Sequence, residues 1–247
     1  MIRQIALFAA AYVAYQVVRG LVGGAGGYKP FGDATKIIDL ERGLHVFVEP
    51  SIQSWARNKH LLMDIANWTY LNSHYVVTLG ALAFIYLRRN DSFYFIRNMF
   101  MIAMAIALVG YVVYPTAPPR LLPEWGFTDS IQQMTGITVE HGPGSAFLNA
   151  YAAVPSMHVC FALIIGLPMA RLVRRRPIKL LWRLYPLLIT FAVVATGNHF
   201  FIDVFLGGVT AGAAALLSDR LLARRRDAWA FAAQSRAEAG ALGQVTA

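Results

Sequence analysis

In the stretch GNHFFIDVF, residues 197–205, a histidine and an aspartate stand four apart at the mouth of a long apolar run. Residues i and i+4 share one helix face, so Asp203 can accept one ring N–H of His199. The other ring nitrogen is then left as a base or a nucleophile. Hydrophobic segments rarely carry ionisable pairs without a functional reason. A pair that merely tethers two helices is the plainer alternative. A second group is VPSMH, residues 154–158. Pro155 suits the first turn of a helix, and Ser156 follows where backbone N–H groups lack partners. Such a helix start attracts phosphate, and His158 beside it can protonate a leaving oxygen.

The elements that must position these groups are apolar. Of the 247 residues, 57% are hydrophobic and only 14% charged, with a mean hydropathy of +0.49. That excludes an ordinary soluble domain and points to several membrane helices. Six apolar runs fall at about 2–19, 62–87, 94–114, 151–170, 180–197 and 199–218. The expected fold is all-α and polytopic: six transmembrane helices in one membrane domain over 1–247. The motif-bearing bundle spans about 60–220, and residues 227–247 form a cytoplasmic tail. The first run is expected as a retained helix, because GLVGGAGG lacks an A-x-A cleavage site.

With the N-terminus inside, 15 of the 22 Lys and Arg fall in cytoplasmic segments, whereas most acids fall outside. This positive-inside pattern accounts for the net charge of +9 without nucleic acid. It puts both termini in the cytoplasm and both histidine motifs at the outer face of the cell membrane. Cys160 is the only cysteine, which excludes an intrachain disulfide and a multi-cysteine metal site.

Two long segments lie outside in this topology. In residues 34–55, Ile37, Leu40, Leu44 and Val48 recur at helical spacing, with Glu41, His45 and Glu49 on another face. They predict an amphipathic helix lying in the outer interface, as an anchor or a lid. YPTAPPRLLP, from residue 114, stops the third apolar helix and sets a stiff turn carrying Arg120. Arg120 is the best-placed cation for a phosphate, with a snorkelling interfacial arginine as the plainer reading. Arg97 is read as topological, at a cytoplasmic helix end. In YLNSHY, Tyr70 and His74 share a face and suit a wall selecting a headgroup or lipid, or plain helix–helix hydrogen bonding. His45, His60 and His141 show nothing to distinguish them from surface residues.

PSMH and H-x-x-x-D resemble the second and third motifs of the type-2 phosphatidic acid phosphatases and vanadium haloperoxidases. YPTAPPR ahead of PSMH is more similar to the branch containing fungal inositol-phosphorylceramide synthase and its bacterial relatives. The resemblance covers about residues 60–220 and implies a six-helix bundle acting by double displacement through phosphohistidine. On it, His199 attacks phosphorus, Asp203 orients it, and His158 protonates the leaving group. Ser156 and the Met157 amide hold phosphoryl oxygens. The family's lysine and second arginine would fall at Val113 and Val193, so two cationic phosphate holders are missing from their usual places.

The function expected is phospho-headgroup transfer between lipids, of the inositol-phosphate type, or transfer to an alcohol. A lipid phosphate phosphatase is the alternative, sharing the first half-reaction. No cofactor or metal is expected, and the partners are a lipid phosphate and the bilayer. A metal hydrolase using His158, His199 and Asp203 lacks a second carboxylate pair. A lipid carrier or channel would need an intramembrane polar path, whereas the ionisable residues cluster at one depth.

Overall fold

Ten α-helices and several tighter or wider turns account for the regular structure among the described residues. The computed structural model describes residues 2–23, 29–136 and 151–222. The His74 side chain, His141 and the tail from 223 lie outside that set. The helices are α1 (Ile2–Gly23), α2 (Lys29–Gly43), α3 (Glu49–Arg57), α4 (His60–Trp68) and α5 (His74–Arg88). They continue with α6 (Asn90–Val113), α7 (Ser130–Thr135), α8 (Met157–Leu172), α9 (Arg176–Ala195) and α10 (Phe201–Leu217). The all-α expectation holds, with no strand among the described residues.

The six expected spans are recovered only in part. Among the described residues, three helices are long and apolar enough to cross a membrane: Asn90–Val113, Arg176–Ala195 and Phe201–Arg220. A fourth span exists if His60–Ser73 and Tyr75–Arg88, bent by 47°, count as one. The bend falls at a wide π-helical turn, Thr69–Ser73, where Ser73 Oγ bonds the Thr69 carbonyl. The apolar run at 151–170 becomes only the 16-residue α8, because the chain before Met157 is extended. Pro155 therefore precedes the helix, with Ser156 at its N-cap, instead of sitting in the first turn.

Close backbone contact, which small residues permit in membrane bundles, sets the packing. A Cβ on Gly207 of α10 would stand 2.5 Å from the Ser156 carbonyl oxygen. On Gly110 of α6 it would stand 2.8 Å from Pro155 Cδ, and on Gly166 of α8 2.8 Å from the Trp182 carbonyl. The glycines thus press α6 and α10 onto the VPSMH turn and α9 onto α8. Tyr15, Ile85, Phe100, Ile164 and Ile165 fill the core between them.

The interfacial helix is not continuous. The chain turns at His45, which has φ = +58°, and separates α2 from α3. Leu40, Leu44 and Val48 face outward at 51%, 58% and 44% exposure, while Ile37 is buried. Glu41 and Glu49 are fully buried. The acidic face points inward because it meets backbone donors there. Arg97 is buried within α6, where it donates to Asn98 Oδ1 at 2.8 Å and lies over the Tyr94 ring.

Candidate active site

The ends of α6 and α9 and the starts of α8 and α10 converge around one cavity of about 240 Å³. His158 enters from the first turn of α8 and His199 from the residue pair preceding α10. Their ring centroids are 5.9 Å apart. Tyr70, from the wide turn before α5, stacks on His158 at 4.4 Å with 30° between the planes.

His199 is 4% exposed, and its Nδ1 lies 3.3 Å from Asp203 Oδ2. The same oxygen accepts the Phe200 N–H at 2.9 Å, so the carboxylate is fixed by backbone before it meets the ring. Asp203 as acceptor makes Nδ1 the protonated nitrogen and leaves Nε2 with a lone pair. Asp203 also joins the two motifs, because its carbonyl accepts the Ser156 N–H at 3.0 Å.

Glycine sets the approach to His199. Gly197 has φ = +70°, and a Cβ there would stand 2.6 Å from Gln53 Nε2. Its carbonyl accepts the Arg120 N–H at 2.7 Å. The proline-stiffened loop is therefore fastened to the histidine segment at one end. At the other, the Thr116 N–H donates to the Tyr151 carbonyl at 2.9 Å, just ahead of VPSMH. Arg120 is 9% exposed and lines the cavity. Its Nη1 donates to Asn198 Oδ1 at 2.7 Å. Its Nε is 3.2 Å from Asp129 Oδ2, close enough for an ion pair but outside hydrogen-bond alignment. Asp129 is held in turn by the Ile131 and Gln132 amides at the start of α7.

The structure brings together His158, His199, Asp203, Arg120, Tyr70 and Met157. Ser156 stands apart from the cavity wall. It is fully buried, and its Oγ has no hydrogen-bond partner among the described residues. Val113 is 64% exposed at the end of α6, and Val193 is buried in the core, so neither position faces the cavity.

Four contributors escaped sequence reasoning. Asn198 holds Arg120, and Arg19 of α1 lines the cavity. Glu41 Oε1 accepts the Ile202 N–H at 2.8 Å, and Glu49 Oε1 accepts the Phe201 N–H at 2.9 Å. These are the opening amides of α10, so carboxylates already occupy the helix end nearest His199. The start of α8, at Met157, is left for an anion. Burial, then a hydrogen bond with Glu49, pushes the Glu41 carboxyl up to about 9, with the Ile202 amide opposing. Among the described residues, no group of three or more His, Cys, Asp or Glu side chains is arranged to hold a metal.

The model of the PAP2 superfamily matches residues 35–217, most of the chain. The chain belongs to the PAP2 superfamily. PAP2 membership makes it a phosphatase-type enzyme of lipid phosphates, and the apolar helices make it a membrane protein. No curated protein and no solved structure matches it significantly. The matched span contains both histidine motifs, Arg120 and both capping glutamates, but not α1.

Proposed function

We propose that this PAP2 protein transfers a phospho-headgroup from a lipid phosphodiester through a phosphohistidine on His199. The observation that carries the reading is the facing of His158 and His199 across one cavity, with Asp203 behind His199. His199 Nε2 attacks phosphorus, and the bond to the lipid alkoxide breaks as His158 gives that oxygen a proton. The group held on His199 is of the inositol-phosphate type, and an acceptor alcohol, on a lipid or free, then loses its proton to His158 and attacks the phosphohistidine. That step restores both rings. Arg120 and the Met157 amide stabilise the phosphoryl oxygens. The site opens on the extracytoplasmic side, and both termini are cytoplasmic.

Phosphodiester transfer is favoured because Arg120 is already shared with Asp129. A dianionic monoester needs more positive compensation than that arrangement supplies, whereas a diester carries one charge. Water in place of the alcohol would make the same site a lipid phosphatase.

The experiment gives purified protein labelled phosphatidylinositol, a labelled phosphomonoester lipid and candidate alcohols. Acid-labile, base-stable label on the wild type, absent from His199→Ala, is the expected result. Label surviving in His199→Ala would overturn the assignment. Label appearing only as inorganic phosphate from the monoester would replace the transferase with the phosphatase.

A further inference from the structure

One face of α1 runs from cationic to apolar along its length. Arg19, Gln16 and Tyr15 line the histidine cavity, Phe8 and Ala9 line a second cavity, and Tyr12 lines both. These positions recur at three- and four-residue spacing, so they form one stripe. From Arg19 to Phe8 the stripe covers about 16 Å at 1.5 Å per residue.

The second cavity measures about 400 Å³ and lies between α1, α5 and α6. Its wall is almost wholly aliphatic and aromatic, with Leu79, Leu82 and Ala83 from α5 opposite Phe8. Tyr12, Tyr75 and Phe161 belong to the walls of both cavities, so the two adjoin across these side chains. An apolar cavity beside a pocket lined by arginine suits the tail and the head of one amphiphile.

We propose that α1 completes the substrate site: Arg19 holds the phosphodiester of a lipid donor whose acyl chain lies in the apolar cavity along Tyr12 and Phe8. The proposal rests on the lipid phosphotransfer reading and names its donor class. Arg19 donates to Gln16 Oε1 at 3.4 Å, a contact between neighbours on the same face of α1. Its charge also acts on Tyr70, the residue stacked on His158, as does that of Arg120. Arg19 and Arg120 both line the histidine cavity, so two guanidinium groups reach the space where a monoanionic diester would sit. Arg19 thus supplies from α1 what Val113 and Val193 do not.

The test uses phosphatidylinositol carrying a diazirine at the end of one acyl chain, photolysed on the full-length protein in lipid nanodiscs. Adducts should map to residues 8–12 of α1 and 78–86 of α5, and Ala83→Trp should abolish them. Ala83 is an exposed position, so the variant fills the cavity without displacing core. Adducts spread over the exposed Leu180, Leu181 and Leu187 face of α9, unchanged by Ala83→Trp, would overturn the chain site. Arg19→Gln should weaken probe binding about tenfold or more, as loss of a charged hydrogen bond does, with Arg19→Lys intermediate. Wild-type binding in Arg19→Gln would overturn its role. In turnover, Ala83→Trp should lower kcat/KM about tenfold more for dipalmitoyl donors than for dibutanoyl donors. A protein that transfers phosphorus from neither donor, yet gives the expected adducts, would defeat the reaction but keep the site.

Discussion

Asn198 Oδ1 accepts a hydrogen bond from Arg120 Nη1 at 2.7 Å, which ties the loop cation to the residue immediately before His199. The guanidinium is thereby aimed by the same segment that presents the histidine. Asn198→Ala should lower kcat/KM about tenfold or more, the cost of a hydrogen bond to a charged group. Asn198→Asp, which keeps an acceptor, should restore most of it. Arg120→Lys keeps the charge but loses the planar fork, and should also cost activity. Steady-state kinetics on the three variants read the outcome. Full activity in Arg120→Lys would make Arg120 an interfacial cation only.

The two histidines should respond differently to the leaving group. A nitrophenyl phosphate ester needs little protonation on departure. His158→Ala should therefore keep measurable turnover of that ester while losing alkyl donors, and His199→Ala should lose both. Asp203→Asn retains the shape but mis-sets the tautomer, so it should lose several orders of magnitude with little change in folding. Equal losses on both ester types in His158→Ala would remove its role as the acid.

The buried, raised carboxyl of Glu41 predicts a pH dependence of stability. Glu41 has its carboxyl raised from 4.5 to about 9 in the folded chain. A raised value means that stabilisation is complete below the unfolded value and is lost as pH rises through the folded one. The groups facing Glu41 are Glu49, Asp203 and the Ile202 N–H. Thermal unfolding temperature should thus fall between about pH 5 and about pH 9. Glu41→Gln, neutral at every pH, should flatten that part of the profile. An unchanged slope in Glu41→Gln would place the dependence elsewhere.

Sidedness is open to direct labelling. Cys160 is buried, so introduced cysteines report alone. Met134→Cys, 42% exposed on α7, should react with an impermeant maleimide on intact cells, and Arg174→Cys in the α8–α9 loop should not. The reverse pattern would put the chemistry in the cytoplasm.

Local spacing made the heart of the site readable. The i, i+4 relation of His199 and Asp203 and the loop carrying Arg120 appear in the structure where the sequence pattern puts them. Glu41 and Glu49 were visible as one acidic face, but periodicity separates faces without saying which is inward. The backbone donors they accept from lie 161 and 152 positions away, beyond any local pattern. Arg19 was hidden similarly, since a single arginine in an apolar run signals its depth but not its neighbours. The span count is recovered only in part, because hydropathy does not see the non-helical chain before Met157 or the bend beside the Thr69–Ser73 turn.

The capping of α10 by α2 and α3 also orders assembly during synthesis. The two acids emerge from the ribosome well before the amides they will hold, so the parts that finish the nucleophile's helix wait for it. Until α2 and α3 meet α10, the opening amides of that helix lack their carboxylate partners.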